Sequence, residues 1–183
     1  MASPDTNTSL LATGRLAYEC TDLSLAWPHG GTGLGLVGNV ILFPPSGYVR
    51  HKDEATNSTD VIQYTGGDLI VSCVIEGWDD DAHRAIYPNT DPGVSREVIR
   101  WPGTDYLPGT RVGAKALEPL VFTPRNQLEH PAFIVYSAIP TLELNAELRF
   151  SSYRFLSYPV IFVGRPDGAG RQGESGPLVE LTL

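Results

Sequence analysis

The sequence predicts an all-β fold, mainly antiparallel and sandwich- or barrel-like, with one short α-helix. Three observations predict it. Apolar residues recur at every second position in short runs, the period of a sheet with one dry and one wet side. The 19 Gly and 15 Pro cluster between those runs, where turns need them. A capping signal followed by a stop occurs at a single window, residues 79–86.

Taken in order, residues 1–12 are polar and read as a flexible N-terminal arm, and residues 13–183 as a single β-domain. Residues 15–20 alternate, with Leu16, Tyr18 and Cys20 on one face and Arg15, Ala17 and Glu19 on the other. A glycine-rich connection over 27–38 leads to a short strand at 39–43, stopped by Pro44-Pro45. Residues 44–60 are strongly polar and read as a projecting loop or long hairpin. Residues 61–65, a Gly66-Gly67 turn and residues 68–77 form a hairpin candidate. Its second arm is apolar on nearly both faces, as in a well-covered strand. Asp79-Asp80-Asp81 supplies a cap and first-turn carboxylates for the helix, and Pro88 ends it. Further strands are expected at 97–101, 120–123, 132–138, 141–150, 158–163 and 178–183. The run 141–150 is the clearest, with Leu142, Leu144, Ala146, Leu148 and Phe150 opposite Glu143, Asn145, Glu147 and Arg149.

Composition narrows the function. A net charge of −8 argues against a module that grips phosphates, which needs a basic face to release counterions. It is compatible with an acidic wall that lets nucleic acid pass without holding it. Cys20 and Cys73 sit among apolar neighbours and read as buried reduced thiols. No secretory pattern and no apolar run of ~20 residues is present, so neither export nor a membrane span is expected.

Each motif that could carry chemistry fails on context. Gly33-x-Gly35-x-x-Gly38 lacks the following helix that would hold a pyrophosphate. Gly173-Glu174-Ser175-Gly176-Pro177 lacks a second glycine for an oxyanion hole and a matching His. Asp79 and His83 share a helix face but have no third ligand nearby. Trp27, Trp78 and Trp101 suit a core or interface, or, in an alternative reading, the platform of a monomeric carbohydrate-binding module. The expectation is a non-enzymatic protein with no metal and no cofactor, whose edges and loops do the work. In the projecting segment, Tyr48, Arg50, Lys52, Asp53 and Glu54 are the candidate assembly residues, their mixed charges suiting partner-selective contacts.

The order of features resembles that of the major tail (tail tube) proteins of tailed bacteriophages. The resemblance rests on a strand and polar loop leading into Val61-Ile62-Gln63-Tyr64-Thr65-Gly66-Gly67. A strand ending Ile75-Glu76-Gly77-Trp78 follows, then the short helix closed by Tyr87-Pro88, and later the run Pro159-Val160-Ile161-Phe162-Val163. It implies a virion structural protein, resident in the host cytoplasm before assembly. Such a subunit self-assembles into stacked, hexameric rings, contacts other tail proteins and surrounds passing DNA. The face Glu143, Asn145, Glu147 and Arg149 would then line the lumen. A neck or terminator protein, or a capsid decoration protein, would share this layout.

Overall fold

Along β6 (Leu69–Glu76) every second side chain is buried: Leu69, Val71, Cys73 and Ile75 point inward, while Ile70, Ser72 and Val74 point away. That alternation, repeated in neighbouring strands, builds the protein. The computed structural model describes residues 14–52, 59–76, 80–86, 117–142 and 157–183.

The chain forms β1 (Gly14–Tyr18), β2 (Thr32–Gly33), β3 (Leu36–Phe43), β4 (Gly47–Lys52), β5 (Thr59–Gly66) and β6, then the helix α1 (Asp80–Ile86). After it come β7 (Glu118–Pro124), β8 (Ala132–Leu142), β9 (Ser157–Gly164) and β10 (Gly173–Gly176). Every described pairing is antiparallel, and the main sheet runs β2-β1-β7-β8-β9-β6-β3, with β10 on β8. The predicted fold class holds.

The two ends of this order are halves of one stretch of chain. Residues 32–34 lie along β1, with Leu34 N–H donating to Leu16 O at 2.9 Å, whereas β3 pairs with β6. The chain changes partner at Gly35, whose φ of +71° is costly for any residue with a Cβ. The sheet therefore closes on itself. Tyr18 of β1 and Phe162 of β9 are three strand spacings apart along the sheet, about 14 Å if it were flat. Their rings lie 5.5 Å apart across the interior. The Tyr18 hydroxyl donates to Ala138 O at 2.9 Å. Inside lie Leu16, Leu34, Leu120, Val135, Val160 and their neighbours, with Ala82 and Ile86 of α1 packed into the same core.

β8 forms the corner. Its start pairs with β7 on one edge and β10 on the other, and its end pairs with β9. The β7 register slips between Glu118 and Leu120, the bulge a closing sheet needs. Pro140 sits within β8 because β7 has ended at the partner of Ala138, so no strand on that side requires its N–H.

Several expectations change. Residues 132–138 and the start of 141–150 belong to one strand, continuous through Pro140. Cys20 does not share a face with Leu16 and Tyr18; Glu19, at φ 60°, interrupts the alternation and turns Cys20 outward into a second cluster. Residues 61–65 do not pair with β6. β5 pairs with β4 instead, because Gly66-Gly67 continues the chain into β6 rather than reversing it. Residues 178–183 do not form a strand. After Pro177 the chain makes a 3-10 turn, Leu178–Glu180, while the edge strand is β10 within the expected loop. The helix spans Asp80–Ile86 as expected. The expected arm 1–12 and strand 97–101 lie outside the described residues. No helix among those described is long and apolar enough to cross a membrane.

Candidate assembly surface

The ribbon begins within the barrel. β3 faces β6 from Leu36↔Glu76 to Phe43↔Ile70, and after a gap at residues 44–46, β4 faces β5 from Gly47↔Gly66 to Lys52↔Thr59. Pro44 and Pro45 cannot donate to a ladder, so pairing lapses there and then resumes. The polar segment expected to project is thus the far half of one long hairpin. At ~3.3 Å per residue, the six residues of β4 extend it by about 20 Å. β4 and β5 form a separate two-stranded sheet and pack substantially on no other described element.

Alternation assigns its faces. Tyr48 and Tyr64 are directly opposed, their rings 5.5 Å apart, and Arg50 opposes Ile62 on the same face. Val49 opposes Gln63 on the other face, where His51 Nε2 and Gln63 Oε1 are 3.3 Å apart. Tyr48 and Ile62 are 59% and 60% exposed, and Tyr64 and Val49 are also exposed. A two-stranded ribbon is marginal alone in water, and one with apolar groups on both faces more so.

Of the assembly residues read from sequence, Tyr48 and Arg50 share this face, and Lys52 ends β4 opposite Thr59. Asp53 and Glu54 lie outside the described residues, as do Glu143, Asn145, Glu147 and Arg149. Sequence reasoning missed Val49, Ile62 and Tyr64. The sequence reading places Ile62 and Tyr64 in a hairpin with residues 68–77; their cue is the polar stretch on the facing arm, which offers them no core.

Trp78, Asp79 and Trp101 lie outside the described residues; the other candidates for chemistry resolve into packing where their side chains are described. Gly33 and Gly38 lie in strands β2 and β3, followed by strand rather than helix. Ser175 sits in β10 opposite Phe133. Trp27 is half-buried: Arg15 lies over its ring at 5.1 Å, and Gly33 approaches so closely that a Cβ there would meet the indole. His29 is buried and shares hydrogen bonds with Leu25 O (3.1 Å) and Thr123 Oγ1 (2.8 Å). Beside it a groove of about 700 Å³ runs between Leu25 and Trp27 on one side and Val179 and Leu183 on the other. Cys20 and Cys73 are buried free thiols, and burial pushes both up to about 12, out of the nucleophilic range. Among the described residues no three His, Cys, Asp or Glu side chains converge as a metal site would require.

No family model and no curated protein matches the chain. Among solved structures, it is similar to the sheath/tube terminator of an extracellular contractile injection system (PVC) in its extended state. The TM-score is 0.49 at 8% identity, covering 94% of this chain and 99% of that one. At this level of likeness, function is read from the residues themselves.

Proposed function

We propose that this chain is a structural subunit of a phage-tail-like assembly, joining copies of itself into rings, hexameric in the tail-tube reading, around a lumen that DNA traverses. One observation carries the reading: a ribbon about 20 Å long that leaves the barrel with Tyr48, Val49, Ile62 and Tyr64 exposed and unsupported. An element that cannot stabilise itself, on a domain that buries its own core elsewhere, is built to be completed by a partner. The sequence layout, which resembles tail tube proteins, points to the same class, and a net charge of −8 suits a conduit that does not retain DNA.

Electron microscopy of the purified chain tests this directly. Rings or tubes are expected, and a strictly monomeric species at high concentration would refute assembly. Stacked tubes indicate a tube subunit, whereas single rings indicate a neck or terminator role. Deleting residues 50–58 should weaken ring formation and abolish stacking while leaving the barrel folded.

A further inference from the structure

A strand packed on one side shows it by alternating burial, and the ribbon does not alternate. In β4, Tyr48, Val49, Arg50 and His51 are all exposed, and so are Ile62, Gln63, Tyr64 and Thr65 of β5. Successive residues point to opposite faces, so both faces are open and no packing fixes the direction in which the ribbon points. That direction is left to the joint with the barrel, and the joint is sparsely held. The ladder stops at Phe43↔Ile70 and resumes at Gly47↔Gly66, so residues 44–46 form no pair with the facing strand. Pro44 and Pro45 have no N–H to give. On the facing strand, Gly66 and Gly67 lie at φ +93° and +152°, conformations open chiefly to glycine. A Cβ at Gly66 would meet nothing within 4 Å, so that glycine serves the backbone angle and not close packing.

We infer that residues 44–47 and 65–68 form a hinge between barrel and ribbon, and that Gln172 latches it. Among the described residues, one hydrogen bond outside the strand ladders ties the joint to the barrel: Gln172 Nε2 donates to Gly67 O at 2.9 Å. Gln172 is itself fixed to the barrel, because its carbonyl accepts from Tyr136 N–H at 3.1 Å and β10 begins at the next residue. Its Oε1 is buried without a partner, so the latched position leaves one acceptor unsatisfied. A lone exposed hydrogen bond, exchanged for bonds to water, holds such a position only weakly. The ribbon swings as a unit, since both strands bend at one level and the ladder from Gly47 to Lys52 stays intact. The barrel sets where the ribbon starts, and whatever receives the ribbon sets where it points.

The hinge belongs to the single subunit and stands whether or not the chain self-assembles. Double electron–electron resonance on the full chain tests it. Nitroxide labels are placed at Arg50→Cys on the ribbon and Thr141→Cys on β8; the native Cys20 and Cys73 are buried. Dilution into unlabelled chain confines the signal to distances within one copy. A second pair, Thr141→Cys with Ser175→Cys on β10, spans the barrel alone and supplies the width of a rigid pair. The distance distribution across the hinge should be broader than that of the barrel pair. Gln172→Ala should broaden it further, and so should Gln172→Glu, which keeps the side-chain length but removes the donor. A ribbon distance as narrow as the barrel distance would overturn the hinge. A broad distance that neither Gln172 variant changes would overturn the latch.

Discussion

In the wall formed by β1, β7 and the first half of β8, both faces are buried. In the wall formed by β3, β6 and β9, only the inner face is. The strands of the two walls follow the same alternation and share one interior. The difference lies outside. Over the first wall, Ala17, Val121, Ile134 and Tyr136 are covered by Leu23 and Trp27 from the loop after β1 and by Leu178 and Leu181 from the C-terminal turn. Over the second, Ile41, Phe43, Ile70, Ile161 and Val163 carry similar side chains outside either cluster. Covered apolar surface stabilises the fold; apolar surface left at the outside is available for association. The comparison teaches that the walls are spent on different tasks, one on folding and the other on partners.

Substitutions that probe one wall against the other sharpen this contrast. The largest effect is expected for Ile134→Asp, which buries a carboxylate in the second cluster. The cost is about 4 kcal/mol or more, and loss of cooperative unfolding by circular dichroism would show it. Leu181→Ala removes the C-terminal cover and should lower stability by about 2–3 kcal/mol in a denaturant titration. Thr123→Val breaks the link to His29 that ties the covering loop to β7, for a loss of about 1–2 kcal/mol. Phe43→Lys, on the other wall, should change monomer stability by no more than about 0.5 kcal/mol while weakening assembly. A stability loss at Phe43 matching that at Leu181 would erase the distinction between the walls.

What the sequence made legible was periodicity. The apolar run from Leu69 to Ile75 declared a strand but not which face turns inward, and the cap at Asp79–Asp81 declared the helix. What it withheld was pairing, because alternation tells which face a residue takes but not which strand lies beside it. Gly66-Gly67 looks like a hairpin turn, yet it bridges two segments that pair with β4 and β3. Pro44-Pro45 looks like the end of a strand, yet it is only a pause in a ribbon. A single backbone angle at Glu19 moves Cys20 across the sheet, and no propensity signals it. At the C-terminus, Leu178 and Leu181 are three apart. That spacing serves one 3-10 turn docking two side chains on the same patch, although the local alternation suggests a strand.

The candidate surface was legible in part for the same reason. Tyr48, Arg50 and Lys52 stood out because their stretch is polar and has no core to join. Ile62 and Tyr64 did not, because apolar residues in a strand read as interior until the facing strand is known. Which residues share the outer face of β3, β6, β9 and β8 depends on three registers at once, so it becomes visible only in the assembled sheet.

The mass of the purified chain in solution, followed by light scattering across a wide range of concentrations, tests the central claim most directly. The account predicts a concentration-dependent rise from monomer to a ring-sized species, reduced by deleting residues 50–58. A single monomeric mass at every concentration, unchanged by that deletion, would contradict it.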